Sequence, residues 1–266
     1  MSTLKNTTVN DTGYLQLPVG TTAERPAMPT AGMTRFNSIL KTAEWYTGSN
    51  SLWYYMPNII TSSMYARYDA AEPTSYSGSG TAWNDISGSG NNGTLVNSPV
   101  YSSTYGGGFQ FNKSNTYVTL PNGLITSNDF TVIMWAQGDG TGGAQTLLAN
   151  YPAGNFQLFY GSAYVGMYLG NSSAYANAAT WYTSSIIQFA ALRSGTTTRV
   201  YINGNLAIEG SSSSAVGGAV TFRMGTNTSG SEQYGGKIYT CQVYSTALSQ
   251  SSIYKNYLAL KGRFGV

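Results

Sequence analysis

Between residues 116 and 244, short runs rich in apolar, aromatic and β-branched residues alternate with turns of Gly, Asn, Ser and Thr. Such runs, separated by turn residues, are typical of strands in an antiparallel sandwich or jelly roll. The pattern therefore predicts an all-β domain. Its ten predicted strands are Thr116–Leu120, Phe130–Gln137, Thr146–Asn150, Phe156–Tyr160, Tyr164–Leu169, Ile186–Arg193, Thr198–Ile202, Leu206–Glu209, Ala219–Met224 and Gly236–Tyr244.

The end of this region gives two finer predictions. Asn203-Gly204 supplies the positive φ angles that a tight hairpin turn needs. In the last strand, a period of two places Tyr239, Cys241 and Val243 on one face, which predicts that they point into the core. We therefore interpret the single cysteine as a buried structural thiol.

One helix is predicted after the last strand, over Gln250–Leu260. Ser249 is placed to cap its first turn, and Gly262 is placed to end it. We expect this helix to pack on a sheet edge or to close the sandwich. Its apolar positions recur on one face, as Ile253, Tyr257 and Leu260.

The first 60 residues differ from the rest. Residues 1–13 form a polar arm, which is either a frayed terminus or a docking segment that orders on a partner. Residues 14–60 form a small module, too short to bury a good core alone, and residues 61–266 form the large domain. Half of the eight prolines fall in the small module. Its predicted extended segments are Met33–Asn37, Ala43–Tyr46 and Ser51–Met56, joined by turns at Lys41 and at Gly48-Ser49-Asn50.

Composition excludes several classes of function. The chain has 266 residues, of which 9% are charged, and it contains no His and one Cys. Histidine-based catalysis, internal disulfides and thiolate zinc sites are therefore excluded. The net charge of +3 is spread thinly, which argues against nucleic acid as a partner. Because no membrane span and no hydrophobic signal core is present, we expect synthesis in a reducing cytoplasm.

The acidic residues do not predict a hydrolase. Glycosidases need two carboxylates that flank the sugar bond, and no two of the ten acidic residues lie within two positions of each other. The sequence therefore predicts no enzyme and no catalytic residue. Calcium is a weaker alternative, because Asp85 or Asp139 could supply ligands. We favour a different role for Asp85, in which its carboxylate accepts backbone N–H groups and fixes a turn.

Glycan binding needs only aromatic rings that stack on a sugar and polar groups that bind its hydroxyls. Aromatic residues crowd positions 151–182, and we name Tyr164, Tyr175 and Trp181 as candidate glycan-binding residues. Exposed tyrosines suit protein contacts equally well. The residues alone do not separate the two kinds of partner.

The small module resembles a repeat that is common in bacteriophage structural proteins, especially tail fibres and other virion surface components. That resemblance implies a virion-anchoring role for Pro18, Arg25, Pro26, Arg35 and Trp45. Arg35 and Glu44 are either a pair across neighbouring strands or two solvated charges. The matching residues are Leu17-Pro18-Val19-Gly20-Thr21-Thr22, Arg25-Pro26, Pro29, Gly32-Met33, Arg35-Phe36-Asn37, Glu44-Trp45-Tyr46 and Trp53.

The large domain resembles the concanavalin A-like lectin and laminin-G-like jelly roll. The resemblance covers nearly all residues after position 60 and implies that fold, which lectins, glycosidases, adhesion modules and structural domains share. It therefore does not settle function. The matching features are the opening strand Tyr65–Ala70, the Trp83-x-Asp85-x-Ser87-Gly88 stretch, the Asn91-Asn92-Gly93 turn, the Phe111 strand, the Tyr201-x-Asn203-Gly204 hairpin and the closing strand and helix.

Together these features predict a phage virion surface protein, made in the host cytoplasm. The N-terminal region would anchor it, as a capsid decoration or head fibre or as a tail-fibre component. The lectin-like domain would project outward, engage host surface glycans and serve host attachment. We expect a homotrimer that contacts other virion proteins. The alternative is a free-standing carbohydrate-binding lectin with no virion role.

Overall fold

The structure is a computed structural model. It describes residues 16–21, 23–38, 42–46, 48, 53–55, 58–125, 127–161, 164–170, 172–177, 185–216 and 219–266, with side chains described for all of these except 42, 53–55 and 172–177. The predicted arm at 1–13 and the turn residues Lys41, Ser49 and Asn50 lie outside the described residues. The chain divides into an N-terminal unit, Met1–Asn58, and a large domain, Ile59–Val266.

The N-terminal unit contains a small sheet. Its strands are β1 (Val19–Gly20), β2 (Thr34–Asn37), β3 (Thr42–Tyr46) and β4 (Trp53–Tyr55). Strands β2, β3 and β4 form an antiparallel meander, which confirms the three predicted extended segments. The short β1 pairs with β2 in parallel.

A buried carboxylate joins the parts of this unit. Glu44 is fully buried and lies opposite Arg35 in the β2–β3 register. Its carboxylate pairs with Arg35 at 3.4 Å and with Arg25 at 2.6 Å, and it accepts a bond from the Asn37 amide at 3.1 Å. Of the two alternatives for Arg35 and Glu44, the structure therefore has the pair across neighbouring strands, and Arg25 is a second partner that the sequence did not indicate.

The large domain consists of two eight-stranded antiparallel sheets. The first has the order β18-β17-β16-β11-β20-β9-β8, with β5 also paired to β20, and the second has the order β15-β14-β13-β12-β19-β10-β7-β6. The strands are β5 (Met64–Asp69), β6 (Ala82–Trp83), β7 (Gly93–Val96), β8 (Val100–Ser102), β9 (Gly108–Asn112), β10 (Tyr117–Asn122), β11 (Phe130–Gly138), β12 (Gln145–Ala149), β13 (Phe156–Gly161), β14 (Tyr164–Leu169), β15 (Ser172–Asn177), β16 (Ile186–Ser194), β17 (Thr197–Ile202), β18 (Asn205–Ser211), β19 (Thr221–Met224) and β20 (Gly235–Tyr244), with a short 3-10 turn at Thr104–Gly106.

All ten predicted strands are present, with bounds within two residues of those predicted. The tight hairpin between β17 and β18 is also confirmed, because Asn203 and Gly204 have φ angles of +50° and +77°. Aromatic and aliphatic side chains from both sheets fill the space between them. The largest fully buried members of this core are Trp83, Tyr68, Tyr234, Phe109, Phe111, Phe130, Phe156, Phe222 and Leu120.

Cys241 lies in this core, as predicted, and burial raises the pKa of its thiol. The prediction for Tyr239 is wrong. A β-bulge in the pairing of β11 with β20 shifts the register at this point, which reverses the alternation of the side chains. Tyr239 therefore lies with Trp135 and Phe264 on the outer side of the first sheet, whereas Cys241 and Val243 point inward.

Helix α1 spans Gln250–Phe264, which is longer than predicted. The Ser249 hydroxyl accepts a backbone N–H of the first turn at 3.2 Å, so the predicted cap is confirmed. The predicted end at Gly262 is wrong. The helix ends at Gly265, which has a φ of +69° and donates its N–H to the Lys261 carbonyl. The left-handed conformation favours glycine at this position.

The helix covers the outer face of the first sheet, not its edge. Trp135 of that sheet stacks on Phe264 at 4.5 Å and on Tyr257 at 5.7 Å between ring centroids. Arg263 donates to Asp69 at 2.7 Å. These contacts of the last turn outweigh the roughly 1 kcal/mol cost of a glycine inside a helix, which explains why the helix continues past Gly262.

The buried Glu44 carboxylate should control the stability of the N-terminal unit. Burial acts to raise its pKa, but the hydrogen bonds from Arg25 and Asn37 and the guanidinium charges outweigh burial and lower it from 4.5. The ionised form is thus favoured in the folded unit. Its contribution to the free energy of unfolding is present above pH 4.5 and is lost as the pH falls through the lowered pKa. We expect Glu44→Gln to destabilise this unit by about 3 kcal/mol at neutral pH.

Amide hydrogen exchange in β2 and β3 measures this effect. Glu24→Gln is the matched control, because Glu24 is an exposed carboxylate of the same unit. Equal exchange rates in the two variants would contradict the central role of Glu44.

Candidate functional site

Helix α1 covers the outer face of the first sheet, and the candidate site lies on the outer face of the second. Along β13 and β14 the side chains alternate between the two faces of this sheet. Leu158, Tyr160 and Val165 point into the core. Gln157 and Tyr168 lie opposite each other on the outer face.

This outer face carries a pocket with a volume of about 250 Å³. Aromatic rings form its sides. Tyr151 and Tyr168 meet edge to face with 4.7 Å between their centroids, and Phe159 meets Tyr164 in the same way at 5.9 Å. These contacts hold the rings in fixed orientations. The lining residues are Ala144, Tyr151, Gln157, Phe159, Tyr164, Tyr168 and Glu232.

The polar groups of the pocket form one hydrogen-bond network. The Gln157 amide Nε2 donates to Glu232 Oε2 and to Thr146 Oγ1, the latter at 2.8 Å. Glu232 Oε2 also accepts from Thr146 at 3.4 Å and from the Asn227 amide at 3.5 Å. Because Gln157 is 4% exposed, its side chain is held rigidly at the base of the pocket.

Glu232 is held in an uncommon backbone conformation. Its φ angle is +53°, in the left-handed region that costs free energy for any residue except glycine. Two hydrogen bonds hold the backbone of this segment, one to the Glu232 carbonyl and one from the Ser231 N–H. Thr146 N–H donates to the Glu232 carbonyl at 2.9 Å, and Ser231 N–H donates to Asn227 Oδ1 at 3.0 Å. The loop thus fixes the carboxylate at the pocket.

The buried side chain of Asn150 fixes the loop that carries Tyr151. This buried side chain accepts the Phe156 N–H at 2.8 Å. A Cβ on Gly154 would lie 2.3 Å from the Asn150 amide, so only glycine fits there. The Tyr151 carbonyl in turn accepts from Thr228 N–H at 2.8 Å. The loops that supply Tyr151 and Glu232 are therefore tied to each other.

A sequence profile described as the concanavalin A-like lectin/glucanases superfamily, of the laminin G type, matches residues 112–254, which is more than half of the chain. The chain belongs to this superfamily. The matched residues include every strand of the pocket. No curated protein matches the chain in sequence.

Solved structures share the fold of this concanavalin A-like domain at low sequence identity. The botulinum neurotoxin serotype D binding domain is 14% identical, with a TM-score of 0.59 over 74% of this chain and 52% of that chain. The serotype D ligand binding domain in complex with N-acetylneuraminic acid is 16% identical, with a TM-score of 0.60 over 74% and 51%. The chain thus spans about half the length of these toxin domains.

Domain 4 of AbnA is a match of more similar length. This domain of a GH43 extracellular arabinanase from Geobacillus stearothermophilus, in complex with arabinotriose, is 21% identical. Its TM-score is 0.58 over 74% of this chain and 98% of that chain. At these identities the matches show the concanavalin A-like fold and no more.

The structure places one predicted glycan residue, Tyr164, in the pocket. The side chain of Tyr175 lies outside the described residues, and its backbone pairs with Gly166. Trp181 also lies outside the described residues. Sequence reasoning missed Gln157 and Glu232, which supply the polar groups.

The two acids considered for calcium form ordinary turn contacts. Asp85 Oδ1 accepts the Arg67 and Ser87 N–H groups, both at 2.8 Å, and Oδ2 accepts the Asn91 N–H at 3.0 Å. This confirms that Asp85 fixes the turn. Asp139 accepts the Thr141 N–H and hydroxyl at 2.9 and 2.7 Å. Among the described residues, no three acids or cysteines are grouped closely enough to hold a metal ion.

The predicted anchoring residues lie in the N-terminal unit, which has a second pocket of about 510 Å³. Arg35 is buried, and its guanidinium donates to the carbonyls of Glu24 at 2.7 Å and Thr21 at 2.9 Å. Arg25 pairs with Glu44, and Trp45 is 37% exposed. Their anchoring role stays a prediction. The lining residues are Pro18, Val19, Gly20, Glu24, Pro26, Met33, Thr34 and Arg35.

In the described part of the chain, no helix has the length and apolarity to cross a membrane.

Asp85→Asn tests the turn contacts of the concanavalin A-like domain. The amide nitrogen cannot accept the bonds now made to Oδ2, so we expect the free energy of unfolding to fall by about 1–2 kcal/mol. Urea denaturation measures the change.

Glu209→Gln is the control, because among the described residues the side chain of Glu209 is exposed and pairs with Arg199 alone. We also expect added calcium to leave the unfolding midpoint of the wild type unchanged. A calcium-dependent rise in the midpoint that Asp85→Asn abolishes would favour a metal site instead.

Proposed function

We propose that the concanavalin A-like domain binds glycans through the pocket of the second sheet and that the N-terminal unit anchors the chain to a bacteriophage particle. The observation that carries the first part is the combination, in one pocket, of fixed tyrosine rings with Gln157 and Glu232. Two proteins that share this fold have been solved in complex with a sugar, arabinotriose in one case and N-acetylneuraminic acid in the other. These complexes support the choice of ligand class.

The pocket has the chemistry that a sugar ring requires. The apolar face of the ring stacks on an aromatic side chain such as Tyr168, while hydroxyl groups donate to the oxygens of Gln157 and Glu232. A volume of about 250 Å³ lies just below the roughly 300–1,000 Å³ of drug-sized ligand sites. The pocket therefore suits one sugar unit at a time, and tight attachment would need many copies on one particle.

We also propose that this domain is not an enzyme. Hydrolysis of a glycosidic bond uses two carboxyl groups, placed about 5–10 Å apart on either side of the bond. Among the described residues that line the pocket, Glu232 is the single carboxylate. Its Oε2 is engaged by three donors from neighbouring side chains, which suits a binding role.

The phage role rests on the resemblance of the small module to virion repeats, and the structure offers a surface for it. The N-terminal unit exposes Val19 by 62%, Met28 by 87% and Met33 by 38%. Val19 and Met33 line the same pocket, and a contiguous exposed apolar patch is typical of a surface that meets another protein. A free-standing lectin, the alternative function, has no need of such a module. We propose a homotrimer on the capsid or the tail, at the virion surface.

Tyr168→Ala tests the glycan pocket. Loss of the ring removes both the stacking surface and the contact that orients Tyr151, so we expect sugar affinity to fall about 5- to 30-fold, or roughly 1–2 kcal/mol. A glycan array identifies the ligand, and titration calorimetry measures its affinity.

Tyr254→Ala is the matched control, because this tyrosine is 43% exposed and lies on helix α1. Equal loss of affinity in the two variants, or no loss in either, would refute the pocket as the binding site.

Removal of residues 1–58 tests the anchoring role. We expect the remaining domain to stay folded, because its core lies within Ile59–Val266, and to lose both trimer formation and association with particles. Light scattering measures the oligomer, and antibody labelling of purified particles locates the full chain. A full chain that is monomeric and absent from particles would leave the free lectin as the better explanation.

A further inference from the structure

We infer that the pocket selects neutral sugars and that Glu232 is the residue that excludes sugars bearing a carboxylate. This inference rests on the proposed glycan-binding function and names the class of ligand for the same pocket. It comes from the direction of the hydrogen bonds at the base of the pocket, where the amide donors of Gln157 and Asn227 are directed to neighbouring side chains and the carboxylate and carbonyl oxygens are acceptors.

Gln157 shows most clearly that the base of the pocket accepts hydrogen bonds from a ligand and does not donate them. Both hydrogens of its amide nitrogen are committed, one to Glu232 and one to Thr146. The Gln157 side chain therefore offers a ligand only its carbonyl oxygen, which accepts hydrogen bonds.

Glu232 also offers a ligand an acceptor oxygen, and its carboxylate adds a negative charge. The hydrogen bonds that its side chain makes among the described residues all go to Oε2, which leaves Oε1 to accept from a ligand. Two acceptor oxygens at the base of one pocket match the hydroxyl donors of a neutral sugar. A carboxylate has no hydrogen to donate and carries the same charge as Glu232.

No described residue that lines the pocket carries a positive charge that would offset Glu232. Arg223 lies on the same face of the second sheet, but its guanidinium lies over the Tyr117 ring, 4.8 Å from the centroid. It also donates to the Asn227 carbonyl at 3.4 Å. Asn227 bonds to both residues, because its carbonyl accepts from Arg223 and its side chain donates to Glu232, and no direct Arg223–Glu232 ion pair is present among the described residues.

The test uses matched sugars on the full chain. The probes are neutral oligosaccharides, including arabinotriose, the same oligosaccharides with one sugar replaced by a uronic acid or by N-acetylneuraminic acid, and the methyl ester of each acidic member. Esterification removes the charge and leaves the rest of the sugar unchanged. We expect the wild type to bind neutral members and esters at least tenfold more tightly than the acids.

Glu232→Gln should reduce this preference to less than threefold, because the amide keeps the size of the side chain and removes the charge. Glu209→Gln makes the same change of charge in an exposed residue of the first sheet and should keep the wild-type preference. The comparison of acid with ester on the wild-type chain gives a result even if Glu232→Gln fails to fold.

Acids bound as tightly as their esters by the wild type would overturn this inference and leave the glycan-binding function standing. A preference that Glu232→Gln and Glu209→Gln both retain would show that another group makes the selection, and would also overturn it. Failure of every probe to bind would refute the proposed function itself, and this inference with it.

Discussion

The packing of helix α1 on one sheet determines which face of the sandwich remains for recognition. A sheet buries one face in the core, and its other face is either covered by another element or presented to solvent. Stacking of Trp135 with Tyr257 and Phe264, together with the Arg263–Asp69 pair, fixes the helix over the first sheet. The second sheet keeps its outer face for the tyrosine-lined pocket.

The pocket is assembled from parts that are rigid for reasons unrelated to binding. Gln157 lies on a central strand, and its neighbours in that strand are core residues. Asn150 and Gly154 fix the loop of Tyr151, and Asn227 fixes the loop of Glu232. A ligand would therefore meet side chains that lose little conformational freedom on binding, which favours affinity at a small site.

The N-terminal unit is stabilised in a different way, because it is too small for a large apolar core. Its substitute is the buried Glu44 carboxylate with Arg25, Arg35 and Asn37 around it. These four residues also belong to the motif that resembles the phage repeat. The motif is thus a signature of how the unit folds, and its exposed residues, such as Val19 and Met33, are the ones that can meet a partner.

Runs of apolar, aromatic and β-branched residues between turns were enough to predict the long strands of the sandwich, because strands such as β11 and β16 are buried on both faces and need such residues throughout. Strand β15, Ser-Ser-Ala-Tyr-Ala-Asn, was missed because small and polar residues give no such signal. Tyr239 was misplaced because a bulge leaves no mark on the pattern. The pocket could be predicted only in part. Aromatic crowding indicated Tyr164, but Gln157 and Glu232 are 75 positions apart, and only the fold brings them together.

The most direct test of the account is to locate a bound sugar. Amide and side-chain NMR signals of the full chain, followed during titration with the tightest neutral oligosaccharide, would map the site residue by residue. We expect the largest shifts at Tyr151, Gln157, Tyr168 and Glu232. Shifts confined to the first sheet and helix α1, around Tyr254, with no change at these four residues, would contradict it.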